Sequence, residues 1–238
     1  MSLATATFNE ILDDLSCRFI INIPAEESLT VERLGFQIEE AHWFYEDFIR
    51  ELNPSLPNFT LKNFSNKLFT HCPLLKKWSS GHDQHYGNFL DYKLTVPVCG
   101  AIVLNRELNE CVCVKGYSNR STWGFPRGKI DSNEEDYVCA IRELKEEIGF
   151  DLTPYIQPEQ YIQIYVRKQR IKLFIIPCIP KHLEFKPKTR KEISRIQWFP
   201  LSYFPNFTTK NVPQDAPIQS ELKLEGHGRF YLINPFMK

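Results

Sequence analysis

The 238-residue sequence contains no run of eighteen apolar residues, and its first ten residues show neither the basic nor the apolar segment of a signal peptide. Its formal net charge is zero, and its seven cysteines include no C-x-x-C pair. The absence of an apolar run argues against a membrane span, and the cysteine spacing favours buried thiols over disulfides or a zinc site. We therefore expect a cytoplasmic chain that does not bind membranes.

Charge is balanced over the whole chain but not along it. Residues 1–93 carry 8 basic and 13 acidic side chains, whereas residues 94–238 carry 21 basic and 16 acidic side chains. Between residues 163 and 195, ten Lys and Arg residues occur with only two Glu. This excess fits either a surface that follows a polyanion or an ordinary solvated face, and the charge pattern alone favours neither.

The first part of the chain has the sequence pattern of helices. Thr7 and Glu10 form a capping box, and apolar residues at helical spacing predict a first helix to about Asn22. A second helix is predicted from Thr30 to just before Asn53. Its apolar stripe consists of Val31, Leu34, Ile38, Ala41, Tyr45, Phe48 and Leu52. Further helices are predicted over residues 61–71 and 82–92.

The pattern changes to short strands near Lys93–Pro97, so we predict an all-helical domain over residues 1–94 and a second domain over residues 95–238. Strands are predicted over 98–104, 111–115, 161–166, 170–176 and 193–198. The prediction is an α+β chain whose second domain is an α/β/α sandwich with one main helix packed on a sheet. The polar residues 206–228 are predicted to form a loop.

Residues 128–150 read GKIDSNEEDYVCAIRELKEEIGF. On a helix, Glu143, Glu146 and Glu147 share one face, and neighbouring carboxylates repel unless a cation lies among them. Tyr137, Ile141, Leu144 and Ile148 are predicted to form the apolar face. Hard oxygen ligands suit Mg²⁺ or Mn²⁺. The spacing of the two glycines, four glutamates and one arginine resembles the Nudix box, which implies hydrolysis of a diphosphate linkage.

The Nudix resemblance implies that the three carboxylates and the carbonyl of Gly128 hold two or three divalent ions. Glu134 and Arg142 are expected to pair and to hold the Gly128 loop on the helix. A general base often lies outside the box in this superfamily, and Glu192 is the candidate beside the alternative, Glu147. A simple surface ion pair is an equally good interpretation of Glu192.

Three segments flanking or overlapping the box narrow the substrate: Trp43–Arg50 (WFYEDFIR), Thr122–Ile130 (TWGFPRGKI) and Thr189–Trp198 (TRKEISRIQW). They resemble the catalytic subunits of eukaryotic mRNA-decapping enzymes, the fungal members most of all. The resemblance covers nearly the whole chain. It implies hydrolysis of m⁷GpppRNA to m⁷GDP and 5′-monophosphate RNA.

The second helix carries Trp43 and Asp47 one turn apart and off its apolar stripe, and an indole beside a carboxylate suits the cationic N7-methylguanine. The resemblance implies that this pair binds the cap and that Tyr92 and Tyr231 are further ring partners. Phosphate contacts are expected, if the two domains close on the cap, from Lys93, Arg127, Lys129 and Arg167. For each of these basic residues, plain solvent exposure is the alternative.

The same resemblance implies partners and a location. These are capped mRNA, a small EVH1-type activator bound to the helical domain, further decapping enhancers, and cytoplasmic P-bodies. Decapping subunits usually continue into a basic RNA-binding helix and a disordered tail, so a truncated form is expected. Two rival functions remain: hydrolysis of another nucleoside diphosphate-linked substrate, and a non-catalytic scaffold that binds capped RNA or protein, which should have lost box carboxylates.

Overall fold

A computed structural model describes residues 3–24, 28–117, 122–204, 221–224 and 228–236. The chain divides into two compact units, Met1–Thr95 and Val96–Lys238. In the part of the chain that the structure describes, no helix has the length and apolar character needed to cross a membrane. All seven cysteines are free thiols, and only Cys17 and Cys178 are exposed.

The first unit is helical, as the sequence predicts. Its α-helices are α1 (Phe8–Ser16), α2 (Val31–Phe44), α3 (Arg50–Leu52), α4 (Leu61–His71) and α5 (His82–Lys93). The capping box forms at α1, where the Thr7 hydroxyl accepts from the Glu10 N–H and the Glu10 carboxylate accepts from the Thr7 N–H. Thr30 caps α2 and Thr60 caps α4 through the hydroxyl alone, which accepts from the N–H of Arg33 and of Asn63, respectively. The buried faces of α1, α2 and α4 form one apolar core.

The second predicted helix contains a π-helical turn, Tyr45–Ile49, between α2 and α3. A π turn holds one more residue than an α turn, so the positions that follow are rotated about the axis. The predicted apolar stripe is therefore wrong at its end. Ile49 is fully buried in place of Phe48, which is 37% exposed, and Leu52 is 57% exposed.

The second unit is built on a mixed sheet of nine strands within the described residues. These are β1 (Val98–Asn105), β2 (Glu110–Gly116), β3 (Trp123–Gly124), β4 (Arg127–Lys129), β5 (Tyr161–Val166), β6 (Gln169–Ile179), β7 (Ile193–Pro200), β8 (Glu221–Leu224) and β9 (Gly228–Tyr231). The order is β5-β6-β1-β2-β3-β9-β8, with β4 paired to β1 and β7 paired to β2. The α+β class is thereby confirmed.

Two differences from the sequence prediction concern the strands. The short strands β3 and β4 were not predicted, because two or three residues are too few to show an alternating pattern. The predicted loop over residues 206–228 lies mostly outside the described residues. It is wrong over Glu221–Leu224 and at Gly228, because Glu221–Leu224 forms strand β8 and pairs with the unpredicted strand β9, Gly228–Tyr231.

One α-helix, α6 (Asp136–Glu147), packs on this sheet. The core between helix and sheet includes Cys139, Ala140, Leu144 and Ile148, all fully buried. The predicted apolar face is wrong at Tyr137, which is 39% exposed. In this part of the helix the buried positions are instead Cys139 and Ala140. Their small side chains let the helix lie close to β1 and β4. A second core covers the opposite face of the sheet.

Candidate active site

Helix α6 carries the three predicted carboxylates, and two of them point into the unit. Glu143 and Glu147 are each 7% exposed, whereas the Glu146 side chain is 39% exposed. Residues three and four apart on a helix lie on adjoining positions of one face, so this grouping follows from their spacing. Sequence reasoning placed the three together, but it did not show that two are buried.

Gly128 lies directly against the Glu143 side chain. A Cβ atom added to Gly128 would lie 2.0 Å from the Glu143 carboxyl carbon and 2.1 Å from each of its oxygens. Gly128 also pairs with Cys99 across β4 and β1. No side chain fits between this backbone and the carboxylate, which explains in physical terms why the motif begins with glycine.

Arg142 links the helix to the loop in front of it. Its guanidinium donates to both Glu134 oxygens at 2.9 Å and to the Lys129 carbonyl at 3.0 Å. It also contacts Glu143 at 2.7 Å and Glu146 at 3.6 Å. The bond from Arg142 lowers the pKa of Glu134 even though burial opposes it. This arrangement places Glu134 and Arg142 where they can hold the loop on the helix.

Gly149 and residues 186–188 hold the other end of α6. Gly149 has a φ of 75°, and an added Cβ would lie 1.8 Å from the Lys186 carbonyl oxygen. The Lys186 N–H donates to the Ile148 carbonyl at 3.0 Å, and the Lys188 N–H donates to the Glu146 carbonyl at 2.8 Å. Carbonyl groups left free at the helix end thus find partners in the chain before β7.

Burial dominates the electrostatics of the cluster. It raises the pKa of Glu143 to about 7, raises the pKa of Glu146, and raises that of Glu147 well above its ordinary value. Charge repulsion adds to burial, because Glu146 acts on Glu143 and Glu143 acts on Glu147. For Glu147, the Arg127 guanidinium and a backbone bond from Arg127 N–H at 3.0 Å act in the opposite direction.

The chemistry of these carboxylates suits a hard divalent cation. Buried oxygen ligands whose negative charges repel one another gain most from a cation among them. Their present partners differ: Arg142 holds Glu143 and Glu146, while Glu147 accepts from a backbone N–H. Accordingly, the described residues contain no group of three or more His, Cys, Asp or Glu side chains arranged around one metal position. The ligand roles, including that of the Gly128 carbonyl, remain predictions.

Glu192 lies in the turn before β7, and its side chain is exposed. Its carbonyl accepts from the Tyr117 N–H at 2.9 Å, which fixes the start of the strand. After burial, which is the largest cause, its charge contributes to raising the pKa of Glu143, Glu146 and Glu147. Both predicted candidates for the general base, Glu192 and Glu147, thus interact electrostatically, and the choice between them stays a prediction.

The predicted phosphate contacts in this unit have different environments. Arg167 is exposed in the turn between β5 and β6, with a φ of 56°. Lys129 is partly buried on β4. Arg127 is also partly buried: its guanidinium donates to the Phe125 carbonyl at 2.9 Å and lies 5.7 Å from the centre of the Tyr231 ring. Burial lowers the pKa of Arg127.

In the helical unit, the Trp43 indole is 55% exposed on α2, and Asp47 follows one turn later, partly buried. Tyr92 on α5 is partly buried, and its ring packs edge-on against Phe36 with centroids 6.2 Å apart. Lys93 donates to both Glu39 oxygens at 2.5 Å. The exposed Trp43 indole is available to a ligand, whereas a phosphate at Lys93 would compete with Glu39.

One network near the site was missed by sequence reasoning. The Asp136 carboxylate, at the start of α6, accepts two bonds from Arg170 at 2.7 Å and one from Lys172 at 3.1 Å. The bonds from Arg170 hold the pKa of Asp136 well below its usual range. The alternating basic residues Arg170 and Lys172 on β6 were visible in the sequence. Their acidic partner, Asp136, lies 34 positions before Arg170, so the sequence pattern did not indicate this contact.

This chain is similar to two protein families and to proteins from two fungi and a plant. The family described as "Dcp2, box A domain" matches residues 10–92, and the NUDIX domain family matches residues 94–221. The mRNA decapping complex subunit 2 of Schizosaccharomyces pombe is 51% identical over 237 residues. The m7GpppN-mRNA hydrolase of Saccharomyces cerevisiae is 40% identical over 230 residues, and the mRNA-decapping enzyme subunit 2 of Arabidopsis thaliana is 39% identical over 228 residues.

These alignments cover 100%, 97% and 96% of this chain, respectively. They cover 30%, 22% and 58% of the relatives. The chain therefore corresponds to a part of each relative. The aligned part of this chain includes both the helical unit and the carboxylate cluster.

Proposed function

The chain belongs to the Nudix family, with a Dcp2 box A domain ahead of its NUDIX domain, and on this premise we propose that it hydrolyses the cap of mRNA. The products would be m⁷GDP and 5′-monophosphate RNA. The observation that carries the proposal is the carboxylate cluster of Glu143, Glu146 and Glu147, in which Glu143 lies against Gly128. Together with Glu134, the cluster accounts for all four glutamates of the motif. A binding scaffold has no need of such a costly group of charges.

In the proposed reaction, Glu143, Glu146 and Glu147 would hold Mg²⁺ or Mn²⁺ together with the Gly128 carbonyl. When bound, such ions supply charge neutralisation on the diphosphate and an activated water nucleophile. Arg142 would exchange its contacts with Glu143 and Glu146 while keeping its bonds to Glu134 and the loop. Glu192, an exposed carboxylate whose charge acts on the cluster, would take the proton from the attacking water, with Glu147 as the alternative.

In this proposal, the helical unit binds the cap base. The exposed Trp43 ring would stack on N7-methylguanine, and Asp47 would accept from its N–H edge. The arrangement supports a preference for the methylated base, because the positive charge of the methylated ring strengthens both contacts. An activator subunit, further decapping enhancers and a P-body location are carried over only as predictions from the resemblance to decapping subunits.

The test is one assay with RNA labelled in its cap, with and without the N7-methyl group, incubated with Mg²⁺ or Mn²⁺. Release of labelled m⁷GDP supports the proposal. ADP-ribose and a dinucleoside polyphosphate are run alongside. If either compound is hydrolysed faster than capped RNA, the substrate of this chain is that other Nudix substrate and not mRNA. If capped RNA binds but is not hydrolysed, only the scaffold function is left.

Glu147→Gln is the matched catalytic control for this assay, because it keeps the shape of the side chain and removes its charge. We expect the fold to persist and turnover to fall on the order of a thousandfold, the loss of several kcal/mol of charge stabilisation. The measurement is kcat at saturating Mg²⁺ with the melting temperature as a check on folding. Turnover within about threefold of the parent chain would make the metal assignment of Glu147 wrong.

A further inference from the structure

The C-terminal end of α6 is bonded to residues 186–192, which we call the base segment because its last residue is the candidate general base. Two backbone bonds make this contact. The Lys186 N–H donates to the Ile148 carbonyl at 3.0 Å, and the Lys188 N–H donates to the Glu146 carbonyl at 2.8 Å. The base segment is thus attached to the helix that carries the carboxylate cluster, and one of the two bonds ends at a residue of that cluster.

Gly149 lies directly against the base segment. A Cβ atom added at this position would lie 1.8 Å from the Lys186 carbonyl oxygen and 2.9 Å from the Lys186 carbonyl carbon. Both are backbone atoms, so rotation of a flexible side chain cannot relieve the overlap. Ordinary van der Waals contact begins at 3.4 Å, and the two backbones would therefore have to separate by about 1.6 Å. Only glycine permits the contact in its present form.

The other end of the base segment is held by strand β2. The Glu192 carbonyl accepts from the Tyr117 N–H at 2.9 Å, and the Ser194 hydroxyl donates to the Gly116 carbonyl at 2.9 Å. The base segment is therefore anchored twice, to α6 at Lys188 and to β2 at Glu192 itself.

Only residues 189–191 lie between the two anchors, and this link has little slack. Lys191 has a φ of 56°, in the left-handed region that a residue with a side chain seldom adopts. The hydroxyl oxygen of Thr189 is buried, so the link is packed against the protein. A short, packed link that already contains an unfavourable backbone angle cannot absorb a shift of about 1.6 Å. A displacement at Lys186 is therefore expected to reach Glu192.

The chain that enters the base segment is fixed by the core between α6 and the sheet. Leu183 and Phe185 pack against this core. The Phe185 ring also lies 5.9 Å from the Trp198 ring on β7, measured between centroids. The base segment is thus held on both sides and has no free end that could swing away from an added side chain at Gly149.

We propose that Gly149 is a positioning residue for the general base: it leaves room for the Lys186 backbone, and so fixes Glu192 relative to the carboxylates of α6. The kinetic side of this inference rests on the proposed function, in which Glu192 is the base. Its structural side does not, because the amides that bond the base segment can be followed without substrate.

Gly149→Asn and Gly149→Ala separate the contact from the backbone conformation. Gly149 has a φ of 75°, which asparagine tolerates better than alanine. Both side chains place the same Cβ against Lys186, so both should displace the base segment, whereas the loss of stability should be larger for alanine. A Gly149→Asn protein that behaves like the parent would show that only the backbone angle matters, and the inference would be wrong.

The structural readout is hydrogen exchange in the full 238-residue chain without RNA. Three amides report on the base segment: those of Lys186, Lys188 and Tyr117. In both Gly149 variants, exchange at all three should be roughly tenfold faster than in the parent. Gly87→Ala is the matched control, because a Cβ at Gly87 meets nothing within 4 Å, and its exchange at these amides should equal that of the parent.

The Leu201 amide is an internal control within the same unit. It bonds to the Asn109 carbonyl at 2.8 Å, at the far end of β7, and its exchange should not change. Equal acceleration at Leu201 would indicate general loosening of the unit, which contradicts a local role for Gly149. Faster exchange at Lys186 and Lys188 with an unchanged Tyr117 amide would mean that the displacement ends before Glu192, and this too would overturn the inference.

The kinetic readout is the split between kcat and KM on capped RNA. For Gly149→Asn we expect kcat to fall roughly tenfold to a hundredfold with KM unchanged, as for a reacting group misplaced by about 1 Å. An unchanged kcat, or a rise in KM alone, would be incompatible with a role in positioning the base.

A double variant shows whether Gly149 acts through Glu192. In Gly149→Asn combined with Glu192→Gln, kcat should be no lower than in Glu192→Gln alone, since both changes remove the same contribution. A further fall in the double variant would mean that Gly149 acts on the carboxylates of α6 instead, against the inference. If Glu192→Gln keeps the parent rate, the base assignment and this inference both fail, while cap hydrolysis stands. If the parent proves inactive on capped RNA, the proposed function fails, and exchange at the Tyr117 amide alone decides whether Gly149 sets the position of Glu192.

Discussion

Replacing Gly128 with alanine tests whether the position of the Glu143 carboxylate matters for turnover. The added Cβ would lie 2.0 Å from the carboxyl carbon, and ordinary van der Waals contact begins at 3.4 Å, so that carbon must move by about 1.4 Å. The moving group is the end of a flexible side chain, so the stability cost should be at the low end of overpacking, about 1 kcal/mol. A displacement of about 1 Å at a reacting group can reduce the rate about a hundredfold.

The assay compares kcat on capped RNA and the melting temperature of Gly128→Ala with those of Gly87→Ala. A Cβ at Gly87 meets nothing within 4 Å, and alanine is favoured over glycine inside a helix by about 1 kcal/mol. Gly87→Ala should therefore keep its turnover and gain a little stability. If Gly128→Ala folds and turns over within about threefold of the parent, the close contact with Glu143 has no role in the chemistry.

The remaining predictions concern the base, the cap contact and the charge of the cluster. Glu192→Gln should flatten the pH dependence of single-turnover decapping between about pH 5 and pH 8, and an unchanged profile would transfer the base role to Glu147 or to a metal-bound water. Trp43→Ala should cost about tenfold to a hundredfold in rate, the value of a lost stack, and most of the preference for methylated caps. An unchanged preference would make Trp43 only a packing residue. Glu143→Gln should flatten the fall in melting temperature with rising pH measured in EDTA. Burial raises the folded-state pKa of Glu143 from 4.5 to about 7, so the folded chain binds more protons than the unfolded chain across this window. The free energy of unfolding should then decrease by on the order of 3 kcal/mol as pH rises through it, and a parent chain without this decrease would contradict the assignment.

The helices of the first unit could be predicted because their signals are local. Thr7, Thr30 and Thr60 each place a hydroxyl where it caps the helix that follows, and the apolar spacing indicates the buried face. The π turn at Tyr45–Ile49 could not be predicted in this way. It changes which residue is buried through an altered hydrogen-bond pattern, and the apolar residues Phe48 and Ile49 fit either register.

The candidate site could be predicted only as far as one helix defines it. The spacing of Glu143, Glu146 and Glu147 places them together whatever surrounds the helix. Their burial depends on the sheet beneath α6, and the partner of Arg127 depends on strand β9, which pairs with β3 about a hundred residues away along the chain. Contacts of that kind follow from tertiary packing, and the pattern of a single sequence does not contain them.

Close packing connects the glycines of this unit with its chemistry. A Cβ at Gly100 on β1 would lie 2.2 Å from the Pro126 carbonyl oxygen, and one at Gly128 would strike Glu143. The Phe125–Gly128 backbone therefore passes between β1 on one side and the carboxylates of α6 on the other. Cys139 and Ala140 permit this spacing because their small side chains bring the helix near the sheet. A larger residue at Ala140 would lift α6 away from the loop and weaken the bond from Arg127 N–H to Glu147, even though it would leave every acidic residue of the motif in place.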